Sequence, residues 1–313
     1  MDLLNQTKYL IKKTGLKPDK LNGQNFCVDE AVIKKMIEAS GINSQDTVLE
    51  VGPGFGFLTI ELLKKAKKVI AVELDKQLIK TLRRLESAYP NLEIVEGDIL
   101  QFPISNYQFS KNFQGQNFQL QKQTANHKPQ TINHKIVANL PYSITSAFLK
   151  KFLTAKSKPE SMTLLVQKEV AERICARPGQ MSLLTISVQL YGCPKIIQTI
   201  GPESFWPAPQ VDSAILHIDN ILPYQFSTLA PEKVFWQVVK SGFSSKRKQL
   251  HNNFKNSLHL NANQAEKMLE SSGINKEIRA QELNIENWLK LAHFFQEISN
   301  AVDKNKRLPK SFS

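Results

Sequence analysis

What most constrains this chain is a rhythm: short apolar, β-branched runs, each ending in a polar residue or glycine and most followed by a stretch of helical period. Residues 47–51 (TVLEV) lead into Gly52-Pro-Gly54-Phe-Gly56 and a helical pattern over 58–66. Residues 68–73 (KVIAVE) precede a helix running to Ala88 with Asp75 as its cap, and 92–96 (LEIVE) end in Gly97-Asp98-Ile99. Residues 135–138 (KIVA) end in Asn139, ahead of a helix over 143–153, and 162–167 (MTLLVQ) lead straight into a helix over 168–174. Continuous apolar runs of this length read as strands buried on both faces. Strands that alternate with helices predict an open α/β sheet. Residues 195–200 and 211–218 are expected to complete it as an antiparallel pair, making seven strands with a further helix over 182–190 between.

Open sheets of this kind hold their ligands at the carboxyl ends of the strands, and those ends are where this chain places its polar residues. Strand, glycine turn and helix is the arrangement in which backbone approaches a nucleotide closely. Gly52, Gly54 and Gly56 are spaced GxGxG, not the GxGxxG of a pyrophosphate cradle, which counts against a nicotinamide-dependent dehydrogenase. With Glu50 just ahead, the spacing is more like the loop beneath an S-adenosylmethionine; a purely structural turn is the competing reading. Glu73 lies about 20 residues beyond the glycines, the distance at which such folds present a carboxylate to ribose hydroxyls. Asp98 can accept from an adenine amino group while Ile99 packs on the ring.

The next strand end is Asn139-Leu140-Pro141-Tyr142. Asn139 offers a side-chain carbonyl. Leu140, held extended by Pro141, offers a main-chain one that need not enter a helix. Tyr142 adds a flat aromatic face. Two acceptors beside a stacking ring suit the exocyclic amine of a base; the plain alternative is a strand end with a proline turn and a half-buried tyrosine. The segment Phe205-Trp-Pro207-Ala-Pro209 is a proline-stiffened loop that holds an aromatic in place, either for such a base or as a rigid connector with Phe205 in the core.

Lys and Arg number 41 against 28 Asp and Glu, a formal charge of +13. Such a basic chain points to a polyanionic partner or a membrane surface, with plain solubility as the alternative. Three scattered cysteines without a CxxC pair argue against a disulfide framework or a zinc site and fit a reducing cytosol. No apolar run approaches the roughly 18 residues of a membrane span, and the first 15 residues lack a signal core followed by a small-residue cleavage site. A cytoplasmic location is expected. Residues 101–134, rich in Gln, Asn and Lys, read as a long surface loop inside a domain of residues 1–222. Residues 223–313 read as a helical domain, with helices over 231–242, 264–272 and 286–298 and a basic, frayed tail over 304–313. Within that domain Lys246-Arg247-Lys248 opens a helix and is followed by Asn252 and Asn253, a combination suited to phosphate and sugar contacts, or to a solvated basic face.

Together these motifs resemble the ribosomal RNA adenine dimethyltransferase family. The matching residues are GQNF at 23–26, EVGPGFG at 50–56, VELD at 72–75, Gly97-Asp98, NLPY at 139–142, QKEVAER at 167–173, FxPxPxVDSA at 205–214, FSSKRKQLHNN at 243–253 and RAQEL at 279–283. The glycine loop and Gly97-Asp98 recur in many methyltransferases; NLPY joined to FxPxPxVDSA and the basic cluster is far more specific. The resemblance implies a Rossmann-like methyltransferase sheet with a small all-helical C-terminal domain, and S-adenosylmethionine as donor. It implies two adjacent adenosines near the 3′ end of small-subunit rRNA as substrate, with a monomer acting on the small ribosomal subunit or its precursor. The family's cofactor positions fall on Gln24, Asn25, Cys27, Gly52, Glu73, Asp98 and Asn139; the catalytic segment falls on Asn139 to Tyr142, with Tyr142 and Phe205 sandwiching the base. Lys246, Arg247, Lys248 and Asn252 fall to the RNA. The chain departs from the family's pattern at Cys27, where an aliphatic residue is usual and only the backbone is needed, and at Asn22 in place of leucine. The loop over 177–181 is shorter than usual and 101–134 is longer. A large-subunit rRNA methyltransferase of the antibiotic-resistance type, and an assembly or transcription factor that keeps the fold without activity, are the alternatives. The VDSA tetrad and the helical tail favour the small-subunit enzyme over the first, and the intact glycines and Asn139 count against the second.

Overall fold

A computed structural model describes residues 1–18, 23–103, 134–224, 226 and 231–307. Asn22, the bulk of the long loop (104–133) and the end of the tail (308–313) lie outside the described residues. The chain forms two compact units, one of Met1–Ala171 with Gly192–Pro223, the other of Glu172–Tyr191 with Tyr224–Ser313.

The first unit opens with α1 (Leu3–Thr14), started by an Asp2 N-cap and stopped by Gly15 in the left-handed conformation. A two-residue strand, β1 (Phe26–Cys27), follows, then α2 (Glu30–Ser40), whose Asp29 cap accepts from the Ala31 amide. The alternating segment is β2 (Thr47–Val51), α3 (Phe57–Leu63), β3 (Lys68–Glu73), α4 (Lys76–Ala88) and β4 (Leu92–Glu96). Beyond the long loop come β5 (His134–Asn139), a 3₁₀ turn over Tyr142–Ile144, α5 (Thr145–Thr154) and β6 (Ser161–Gln167). The boundary between the units falls inside α6 (Lys168–Ile174), and α7 (Leu183–Gln189) belongs to the second unit. The first unit resumes with β7 (Cys193–Ile200), β8 (Phe205–Trp206) and β9 (Ser213–Asp219).

Seven strands form one sheet in the order β4-β3-β2-β5-β6-β9-β7. The first five are parallel; β9 runs antiparallel to both β6 and β7. The mixed seven-stranded sheet matches the architecture expected from the rhythm of the sequence. From β2 the chain moves outward to β3 and β4, then returns to lay β5 on the opposite side of β2. Such a reversal opens a crevice at the carboxyl ends of the two central strands, where open α/β sheets bind ligands. The expected list of strands omitted β1 and β8, which pair antiparallel with each other, Phe26 opposite Trp206 and Cys27 opposite Phe205.

The second unit contains α8 (Glu232–Gly242), α9 (Leu250–Ser257), α10 (Ala262–Ser271) and α11 (Ile285–Arg307). Trp288, fully buried, stacks on Phe243 with ring centroids 5.5 Å apart. The short loop after Arg177 is tied to the RAQEL segment: the amides of Gly179 and Met181 both donate to the Gln281 carbonyl, at 2.9 and 3.1 Å.

Candidate active site

Parallel register brings the ends of four strands to one edge. Val51 lies beside Val72 and Ala138, Glu73 beside Glu96, and Asn139 beside Leu165. Gly52, Glu73, Asp98 and Asn139, distant in sequence, therefore share the carboxyl edge of one sheet.

The glycine loop starts where the Gly52 amide donates to the Val72 carbonyl at 3.0 Å. Gly52 has φ +64, and a Cβ there would stand 3.8 Å from the Asn139 carbonyl oxygen, in the gap between loop and strand end. Gly54 has φ +61, and a Cβ there would meet the Phe26 ring at 3.1 Å. Both positions need left-handed backbone, which glycine adopts without steric cost.

Glu73 is 7 % exposed. Its carboxylate accepts from the amides of Gly54 (3.2 Å), Leu74 (2.8 Å) and Asp75 (3.0 Å), so it ties β3 to the glycine loop. Burial pushes its pKa up, while these three backbone donors pull it down. A carboxylate has about four acceptor positions, so one remains for a ligand hydroxyl. Asp75 caps α4 by accepting from Gln77 and Leu78, which separates its structural task from that of Glu73.

Asp98 is partly exposed and closes its own turn, accepting from the Leu100 amide at 2.8 Å and from the Gln101 side chain at 3.3 Å. Ile99 beside it is buried. Lys151 of α5 pins the same turn, donating to the carbonyls of Leu100 (2.7 Å) and Phe102 (2.6 Å).

Among the described residues the Asn139 side chain makes one bond: its Nδ2 donates to the Asn25 carbonyl at 2.9 Å. With the amide nitrogen facing that carbonyl, Oδ1 is the atom left to accept. The Leu140 amide donates to Leu165, and the 3₁₀ turn begins with the Pro141 carbonyl, which accepts from Ile144. The Leu140 carbonyl thus stays outside the helical pattern, as expected from the proline. Tyr142 is half-buried, and its hydroxyl bonds to the Ser213 hydroxyl at 2.6 Å. Burial raises its pKa, so it stands as a neutral phenol with a fixed ring. Ser213 opens β9 in the VDSA tetrad; its neighbour Asp212 meets Lys168 twice, carbonyl to amide at 3.0 Å and carboxylate to ammonium at 3.4 Å. The sequence quoted VDSA as a motif without assigning this role, because the contact spans 71 residues and exists only across the sheet.

The GQNF segment reaches the site through Asn25, whose side chain donates to Gly23 at 3.2 Å while its carbonyl faces Asn139. Gln24 is partly exposed beside it. Cys27 is paired in the small ribbon, and burial drives its thiol up to about 11, which makes it inert; only its backbone is offered.

Phe205 is set deeper than Tyr142. It is 3 % exposed and packs in the core with Val32, Ile33, Val137, Leu165 and Ile215. The connector reading describes its position: β8 pairs with β1, and the Ser204 hydroxyl bonds to Asp29 at 2.9 Å, so the whole turn is stitched inward. Tyr142, half-buried, is the more open of the two rings.

Glu50 was noted in the sequence only as a neighbour of the glycines. It is 1 % exposed, and neither carboxyl oxygen has a hydrogen-bond partner among the described residues. Burial pushes its pKa up to about 8; the nearby Thr59 hydroxyl lowers it and the Glu73 charge adds to the rise. A buried carboxyl without partners is held neutral near pH 7.

The basic cluster lies in the second unit. Lys246, Arg247 and Lys248 are exposed in the turn before α9, which starts at Leu250, so they precede the helix instead of opening it. The reason is Asn253, buried, whose Nδ2 donates to the carbonyls of Gly242 (2.6 Å) and Ser245 (3.0 Å) and fixes the turn. Asn252 is partly exposed on the first turn of α9.

The crevice at β2 and β5, the glycine loop and a carboxylate at the end of β3 define a nucleoside-binding α/β domain of the methyltransferase type. The sequence pattern of the ribosomal RNA adenine dimethylase family matches residues 16–297, and the chain belongs to that family. It is 39 % identical over 290 residues to the ribosomal RNA small subunit methyltransferase A of Dehalococcoides mccartyi, covering 92 % of each chain. It is 37 % identical over 294 residues to the protein of the same name from Clostridium botulinum, covering 93 % of this chain and 99 % of the relative. Among solved structures, a dimethyladenosine transferase from Plasmodium falciparum is similar with a TM-score of 0.66 and 31 % identity, covering 84 % of this chain and 94 % of the other. The 23S rRNA methyltransferase ErmE is similar with a TM-score of 0.63 and 26 % identity, covering 86 % and 99 %. The chain is thus an S-adenosylmethionine-dependent rRNA adenine methyltransferase. The residues present fit that donor: glycine backbone at Gly52 and Gly54, a free acceptor position on Glu73, and the carboxylate of Asp98 with Ile99. No helix among the described residues is long and apolar enough to cross a membrane.

Proposed function

We propose that this chain dimethylates N6 of two adjacent adenosines near the 3′ end of small-subunit rRNA. The observation that carries the proposal is the bond from Asn139 Nδ2 to the Asn25 carbonyl, which leaves Oδ1 as an acceptor at the strand end. The names of the relatives at 39 % and 37 % identity support the small subunit as target.

The lone pair of an adenine amine is delocalised into the ring and is a poor nucleophile. Asn139 Oδ1 and the Leu140 carbonyl accept the two N–H bonds, draw the nitrogen toward tetrahedral geometry and localise its lone pair. Tyr142, fixed by Ser213, stacks on the base and sets its plane; extruding that base from a helix costs a few kcal/mol. Bound S-adenosylmethionine would supply an electrophilic methyl on its sulfonium; breaking the S–CH3 bond would release S-adenosylhomocysteine, a neutral thioether, so no general acid is needed. As the N–C bond forms the nitrogen becomes cationic, the two acceptors oppose that charge, and the surplus proton passes to water. The product amine keeps one hydrogen, so a second round is chemically open. Gln24, Asn25 and the Cys27 backbone border the donor. Lys246, Arg247, Lys248 and Asn252 contact rRNA phosphate and sugar from the helical unit. The protein works as a cytoplasmic monomer.

The test is methylation of purified subunits. Small-subunit particles lacking dimethyladenosine, and large-subunit RNA, are each incubated with protein and S-adenosylmethionine, then digested and read by mass spectrometry. Dimethyladenosine at two adjacent small-subunit positions is the expected result. Modification confined to large-subunit RNA would replace it with the activity the ErmE likeness suggests, and no transfer to either would overturn the enzyme.

A further inference from the structure

We propose that the outer face of α1 is a second RNA-backbone contact, carried by Lys8, Lys12 and Lys13 around the exposed ring of Tyr9. The inference rests on the rRNA reading above and extends it to a surface which that reading does not use.

The helix is well specified. The Asp2 side chain accepts from the Asn5 amide at 2.7 Å, and the Gly15 amide closes the other end on the Ile11 carbonyl. Leu10 and Ile11 face inward and pack against Leu16, Phe26, Phe55 and Leu78. Phe26 follows Asn25 and Phe55 follows Gly54, so the buried face of α1 rests on the two segments that form the cofactor side of the site. Its outer face therefore lies about one helix diameter, some 10–12 Å, from those segments.

That outer face is basic and aromatic. Lys8, Tyr9, Lys12 and Lys13 are all exposed, and their spacing puts them on one side of the helix. No acidic residue lies within α1, and none of the three lysines joins an ion pair among the described residues. Favourable interaction with the helix C-terminus accounts for Lys12 and Lys13. It accounts for neither Lys8 nor Tyr9, which is 54 % exposed with the Lys13 ammonium 5.6 Å over its ring. Lysines around an open aromatic ring offer phosphate contacts and a stacking surface together. An anionic membrane is the less fitting occupant, because the apolar face that would insert is already buried on Phe26 and Phe55.

The test measures binding to small-subunit particles over a series of salt concentrations. A variant carrying Lys8→Gln, Lys12→Gln and Lys13→Gln should bind about tenfold more weakly at moderate salt. Its log–log salt slope should be shallower by about 2–3, since each lost phosphate contact removes roughly 0.7–0.9. The Lys→Arg triple variant should keep the wild-type slope. Tyr9→Ala should weaken binding, with Tyr9→Phe close to wild type. Unfolding midpoint and S-adenosylmethionine affinity serve as folding controls. A wild-type slope in the Gln variant overturns the proposal while leaving the enzyme reading intact, and wild-type protein that neither binds nor methylates the particles removes that reading itself. Equal loss of binding to anionic phospholipid vesicles, with particle binding unchanged, would reassign the face to a membrane.

Discussion

Asn139, proposed above to activate the amine, shows how little of such a role is visible in a residue's name. Its position at a strand end was legible, because an apolar run stopping at a polar residue followed by Pro141 is a local pattern. The direction of its amide was not, because that is set by the Asn25 carbonyl, 114 residues away. The distinction matters for chemistry, since an amide turned the other way presents donors to an amine that needs acceptors. Asn139→Ala should fold and bind RNA, yet transfer methyl groups at least a hundredfold more slowly with saturating cofactor, the scale of loss when one such charge-stabilising group is removed. Saturation separates the rate from any contact Asn139 makes with the donor. A variant turning over near the wild-type rate would reduce the tetrapeptide to a strand end.

At the scale of elements, periodicity carried most of the fold, and the failures share one cause. Strands of five to eight residues have their own apolar signature and were legible. The β1–β8 ribbon has two residues on each side, too few to show alternation, and it exists only because Cys27 meets Phe205 across the fold. The ribbon also bears on Phe205, whose proline-rich flank left two readings open, an aromatic held for a base or a rigid connector with its ring in the core. Its burial in the core predicts a stability effect first: Phe205→Ala should lower the unfolding midpoint, by an amount set by a loss of about 3–5 kcal/mol. Thermal unfolding without RNA or cofactor measures it directly. Wild-type stability combined with slow transfer would place Phe205 in the base sandwich.

For the whole molecule, the net charge of +13 made a polyanionic partner legible, but composition says nothing about where charge is buried. The sheet of the first unit hides Glu50, whose carboxyl has no hydrogen-bond partner among the described residues, directly below the glycine loop. Its folded pKa of about 8 stands above the ordinary 4.5, so between those values the folded chain holds a proton that the unfolded chain has released. Stability therefore falls as pH rises through that interval and levels off above it. Glu73, also raised by burial, acts in the same direction. Glu50→Gln cannot ionise and loses its share of the slope. Scanning calorimetry of the cofactor-free protein between pH 5 and about pH 8.5 should show the variant gaining on the wild type steadily as pH rises, whatever their difference at pH 5. A difference that stays constant across the range would mean that the buried carboxyl is ionised in the folded state throughout and has a partner there.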